Sequence, residues 1–165
     1  MEKKVFGYPK YDDNGEMILT TYENEYRDML MDIRVYKLEK NQTKIFTSDD
    51  EEIAALLLNG KIEINVDGIE KVVSRKSVFL EGPYAGHVSH SKIISVKALE
   101  ETEILVQKTK NKVTFNSKLY TPEDAPWKYS SQGWYGNVAN RRVNTIIDHD
   151  IAPKSNMVLG EVLND

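Results

Sequence analysis

The sequence predicts an all-β domain, a sandwich or barrel of short antiparallel strands. Apolar and polar residues alternate without a break in Lys61-Ile62-Glu63-Ile64-Asn65-Val66, the period of a half-buried strand. Asn59-Gly60 and Asp67-Gly68 flank this segment, and both dipeptides accept the positive φ angles of two-residue hairpin turns. Other short apolar segments recur at the roughly 8–12 residue spacing of all-β sandwiches and barrels.

Composition narrows the class. The 165 residues suit one domain with a substantial arm. With 40% hydrophobic and 29% charged residues, wholesale disorder is excluded. The longest aliphatic run, Ile53 to Leu58, is far below the roughly 18 residues of a membrane-spanning helix. Met1-Glu2-Lys3-Lys4 leads into Val5-Phe6-Gly7-Tyr8-Pro9 without the apolar core of a signal peptide, so a cytoplasmic protein is expected. The absence of cysteine agrees with that compartment and removes thiol nucleophiles, redox pairs and sulfur-based zinc sites. A net charge of −4 with no basic stripe argues against a nucleic-acid partner, and no membrane partner is expected.

The elements follow in order. Residues 1–30 mix Tyr8, Tyr11, Tyr22 and Tyr26 with acidic residues around Asn14-Gly15, and read as an arm containing a turn. Strands are expected at Asp32–Leu38 and Lys44–Thr47, then a solvated acidic loop at Asp49-Asp50-Glu51-Glu52. Ile53–Leu58 is short and ends at Asn-Gly, which favours a strand buried on both faces over a helix. Segments 52–58, 61–66 and 69–73 thus form a meander through two hairpins. Ser77–Leu80, Ile93–Leu99 and Glu103–Gln107 supply further strands, and Gly82-Pro83-Tyr84-Ala85-Gly86-His87 lets the chain turn sharply between sheets. From Leu119 to Gly136 the periodicity disappears among prolines, glycines and aromatics. That stretch reads as a crossing loop whose rings either plug a core edge or stack on a ligand. Strand pattern returns at Arg142–Ile147 and Met157–Leu163, and the chain reads as interrupted after its last strand. The resulting division is an arm (1–30), a barrel (31–118), and a crossing loop with strands (119–165).

Few residues suggest chemistry. His87 and His90 lie in or beside a strand, where positions three apart face opposite sides, so their rings are not expected to chelate one ion. Asp148-His149-Asp150 falls in a turn before Ala152-Pro153, and no spacing supports a two-histidine-carboxylate triad. Neither a Gly-x-Ser-x-Gly elbow nor a phosphate-binding glycine loop is present. Asn137, Arg141 and Arg142 combine an amide with two guanidinium groups, a donor set suited to a substrate carboxylate. The same arginines could instead tether their loop to acidic neighbours.

Taken in order, several segments form a known sequence of pieces. They are Ala55-Leu56-Leu57-Leu58-Asn59-Gly60-Lys61, the Asp67-Gly68 turn, Arg75-Lys76-Ser77-Val78-Phe79 and Gly82-Pro83-Tyr84-Ala85, followed by Gly136-Asn137, Arg141-Arg142-Val143, Ile146 and Leu159-Gly160-Glu161-Val162. From about residue 30 onward the chain resembles the N-terminal half of the 5-deoxy-glucuronate isomerase family of myo-inositol catabolism, related to the 5-keto-4-deoxyuronate isomerases. The resemblance implies a cupin-like antiparallel β-barrel, or jelly roll, with an N-terminal arm and a C-terminal extension. It also implies a bicupin whose divalent metal sits in a second, C-terminal barrel, with no cofactor in the present segment. The implied reaction is a metal-dependent aldose–ketose isomerisation of a sugar-acid substrate, with the catalytic residues beyond this segment. Strand edges left by a missing barrel would favour a homodimer. The alternative is a non-catalytic cupin domain for sugar-acid binding or assembly.

Overall fold

The computed structural model describes residues 9–164, apart from the side chains of Tyr135 and Asn137; Tyr8 of the arm and the terminal Asp165 lie outside them. The strands are β1 (Glu16–Thr20), β2 (Asp32–Leu38), β3 (Thr43–Thr47), β4 (Glu51–Val66), β5 (Ile69–Arg75), β6 (Ala85–Val88), β7 (Ile93–Ala98), β8 (Thr102–Lys110), β9 (Lys118–Tyr120), β10 (Lys128–Ser130), β11 (Arg141–Ile147) and β12 (Leu159–Asn164). Every strand pairing is antiparallel. No helix among the described residues is long and apolar enough to cross a membrane.

Three layers result. The first half of β4 lies in a sheet of order β1-β2-β8-β4-β6-β9, and its second half lies in a sheet of order β3-β7-β4-β5. Between these sheets, Leu38, Ile53, Leu57, Ile62, Ile64, Val66, Val88, Ile94 and Val96 join a closely packed aliphatic core. The remaining strands form a small sheet, β10-β11-β12. It covers the other face of the six-stranded sheet, where Ala54, Leu56, Ala85, Tyr120, Ile146, Ile147 and Leu159 form a second core. Because β4 is covered on both faces, its apolar residues run consecutively rather than alternating. The fold is all-β and cupin-like, as the sequence leads one to expect.

Besides the short strands β1, β9 and β10, which fall in stretches read as arm or crossing loop, the local reading needs correction at three places. Asn59-Gly60 is not a hairpin: β4 is one strand of 16 residues that runs straight through it. Its register against β8 shifts between Leu57 and Asn59, and Gly60 adopts φ +103°, so a bulge carries the strand from one sheet to the next. A Cβ at Gly60 would lie 2.7 Å from Thr102 Cα and 2.8 Å from Glu101 O, so only glycine permits this crossing. By contrast, Asp67-Gly68 is the expected two-residue turn, with φ of +51° and +94° and Val66 paired to Ile69.

Ser77–Leu80 is a turn rather than a strand, and it leaves Phe79 and Leu80 exposed. Ser77 organises it, its hydroxyl accepting from the Phe79 N–H at 3.1 Å and its carbonyl accepting from Leu80 and Glu81. The third correction concerns the acidic loop. Asp49 and Asp50 are exposed, but Glu51 and Glu52 open β4, and Glu52 is fully buried.

Candidate functional site

Strand parity explains why Glu52 and His87 meet. Ala54 pairs with His87, which places the imidazole on the outer face of the six-stranded sheet, together with Ala54, Leu56 and Glu52. His87 Nε2 lies 3.0 Å from Glu52 Oε2. The Ser155 hydroxyl donates to the same oxygen at 2.9 Å, and the Asn156 backbone N–H donates to Oε1 at 2.6 Å. Surrounded by three donors, the carboxylate fixes the histidine tautomer: Nε2 carries the proton that bonds Glu52, and in the neutral ring Nδ1 keeps the lone pair.

A cavity of about 430 Å³ lies over this pair, within the range that holds small ligands. His87 and Ser155 contribute to its lining, and no described group bonds His87 Nδ1. Phe115 leans on the imidazole with ring centroids 4.6 Å apart, and Tyr120 stands at 6.4 Å. Burial, reinforced by the charges of Asp124 and Asp148, pushes the Tyr120 hydroxyl above its ordinary range. The lining includes Lys118 and Lys154 but no carboxylate. Lys118 reaches over the Tyr120 ring at 4.4 Å and bridges Asp124 at 3.0 Å.

The other residues singled out from the sequence are placed elsewhere. His90 sits in the turn after β6 and bonds Ser91 and Thr114, so it shares no partner with His87. Asp148 accepts from the Ile151 N–H at 2.8 Å within a turn, while His149 and Asp150 are exposed. Arg141 and Arg142 open β11 and point to opposite faces, opposite Ser130 and Tyr129 respectively. Arg142 stacks 4.3 Å over the Trp127 ring and donates to the Phe79 carbonyl at 3.1 Å. Asn137 closes a short 3-10 turn, and its side chain falls outside those described. The structure therefore does not join the two arginines into one carboxylate grip.

Among the described residues, no three His, Asp or Glu side chains converge to hold a metal ion. Glu52 already serves three donors, and His87 turns one nitrogen to it. The resemblance places its divalent metal in a second barrel, and the side chains described here offer no converging donor set for one.

Sequence reasoning identified His87 but missed Glu52, hidden in an acidic run. The available signal was parity, since Glu52 continues the face of Ala54 and Leu56.

A layered all-β, cupin-like domain with a filled interior and a polar pocket on its outer sheet face is the class of protein defined here. Comparison then gives the family. Residues 7–165 match the KduI/IolB family, and the chain belongs to it. It is 27% identical to a 5-deoxy-glucuronate isomerase from Geobacillus kaustophilus, covering 91% of this chain and 53% of that protein. A second 5-deoxy-glucuronate isomerase, from Geobacillus thermodenitrificans, is 27% identical over 98% of this chain and 58% of its own length. The chain thus spans little more than half the length of these relatives. A crystal structure of an IolB-like protein from Salmonella typhimurium shares the fold with a TM-score of 0.65 at 17% identity, covering 73% of this chain and 45% of that one.

Proposed function

We propose that this chain supplies the N-terminal half of a metal-dependent isomerase that converts 5-deoxy-glucuronate to 5-dehydro-2-deoxy-gluconate in myo-inositol catabolism. The supporting observation is 27% identity to two proteins bearing the isomerase name, across nearly all of this chain and little more than half of theirs. Aldose–ketose isomerisation moves a proton between adjacent carbons while the carbonyl oxygen is polarised. A metal in the other half would supply that polarisation.

The present half contributes structure. Its inter-sheet space is filled by Ile53, Leu57, Ile64, Val66 and Ile94, so substrate chemistry is assigned elsewhere. The intact mass of the natural gene product tests this reading. A value near twice the 18.9 kDa of the present chain is expected. A natural product of 18.9 kDa would contradict it.

A further inference from the structure

Asn14-Gly15, Asn59-Gly60 and Asp67-Gly68 each place Asn or Asp directly before glycine. A glycine there leaves its backbone nitrogen free to reach the preceding Cγ, so a succinimide ring can close. The fold treats the three differently. Asn59 lies inside β4, paired to Glu103 of β8, and its Nδ2 donates to Glu103 Oε2 at 2.7 Å. Gly60 is paired to Arg75 of β5, and a Cβ on it would lie 2.7 Å from Thr102 Cα. Swinging the Asn59 Cγ over the Gly60 nitrogen would break both the strand pairing and a charge-assisted bond. At Asp67 the carboxylate is held as the anion by Lys92 Nζ and Ser117 Oγ, both at 2.9 Å, and an anionic carboxylate is a poor electrophile.

Asn14 has neither restraint. It is exposed, in the turn that leads into β1, and its Nδ2 comes no closer to an acceptor than 3.5 Å, at Asp12 Oδ2. That distance is the outer limit of a hydrogen bond. Backbone donors hold the turn instead: the Gly15 N–H to the Asp12 carbonyl at 3.0 Å, and the Asn14 and Glu16 N–H groups to Asp12 Oδ1. Among the described strands β1 is an edge held by β2 alone, a place where local opening is easy. We infer that Asn14-Gly15 is a spontaneous modification site, converting to isoaspartate and so releasing the start of β1 from β2. The Gly15 nitrogen gives up its proton and bonds to Asn14 Cγ, the Cγ–Nδ2 bond breaks, and ammonia leaves with that proton. Water then opens the succinimide, at the main-chain carbonyl to give isoaspartate or at the side-chain carbonyl to give aspartate. Isoaspartate routes the main chain through Cβ and Cγ, which adds one carbon before Gly15. The site cannot absorb that shift, because the Gly15 carbonyl accepts from the Lys37 N–H at 2.7 Å and a Cβ on Gly15 would lie 2.5 Å from Lys37 O.

Ageing the folded chain in mildly alkaline buffer tests it. The chain is then digested, and its peptides are followed by mass, with electron-transfer fragmentation separating isoaspartate from aspartate. Asn14 is expected to convert at least about tenfold faster than Asn59, the factor set by one hydrogen bond to a charged group. In denaturant the two Asn-Gly pairs are expected to convert at equal rates, which assigns the difference to the fold. In the isolated isoaspartate species the Lys37 amide is expected to lose its protection from hydrogen exchange, while the Ile64 amide, between β5 and β7, keeps its own. The inference is overturned if Asn14 stays intact in the folded chain, or if Asn59 converts there as fast. It is equally overturned if the difference persists in denaturant, or if Lys37 keeps its protection after conversion.

Discussion

Arg75 and Glu161, 86 residues apart in sequence, meet in a buried two-pronged ion pair of 2.7 and 2.8 Å. Arg75 also donates to the carbonyls of Leu57 and Glu81, so every N–H of its guanidinium is used. The pair fastens β12 of the small sheet to β5 of the four-stranded sheet, and holds the 76–84 loop between them. Such a group is costly to desolvate and becomes a liability once its partner is removed.

Glu161→Gln is therefore expected to destabilise the fold by about 3–5 kcal/mol, because it leaves Arg75 charged, buried and unpaired. Denaturant unfolding followed by tryptophan fluorescence measures this. A loss below about 1 kcal/mol, the size of a surface ion pair, would show that the contact is not buried as described.

The two glycines with positive φ on either side of the 61–66 segment should respond differently. At Gly60 a methyl group would meet the Thr102 and Glu101 backbone, whereas nothing lies within 4 Å of a Cβ at Gly68. Gly68→Ala is expected to cost about 1 kcal/mol from backbone strain alone, and Gly60→Ala substantially more. Comparing denaturation midpoints decides the matter. Equal losses would mean that Gly60 sits in an open turn after all.

Asp67 gives the expected acid response. Its carboxylate accepts from Lys92 Nζ and Ser117 Oγ, both at 2.9 Å, and these bonds hold its pKa below the ordinary 3.8. A lowered folded-state pKa stabilises above the unfolded value, and the contribution is lost as pH falls through the folded value. Asp67→Asn, which tolerates the same positive φ, should be less stable than the parent at neutral pH. That difference should close below the parent's carboxyl titration. A gap that persists at low pH would assign the effect to the turn rather than to the charge.

Much of the fold was legible because it is local. The alternation in 61–66, the Asp67-Gly68 turn, and the strands at 32–38 and 93–98 depend on neighbours a few residues away. Asn59-Gly60 misled because a bulge between two sheets and a hairpin ask the same freedom of glycine. Only the long-range partners distinguish them: β8 and β6 on one side, β5 and β7 on the other. Glu52 was missed for a related reason. Its burial depends on His87, Ser155 and Asn156, which lie 35 to 104 residues away, while the three residues before it, Asp49, Asp50 and Glu51, are charged. Arg141 and Arg142 looked like a pair in sequence, but strand geometry separates them.

The proposal that this is one half of a two-barrel isomerase is tested most directly by turnover. The purified 165-residue chain and the full gene product are each incubated with 5-deoxy-glucuronate and a divalent metal, and formation of the ketone is followed by carbon-13 NMR. The expected result is turnover by the full product and none by the chain alone. Turnover by the chain alone, or none by the full product, would contradict the account.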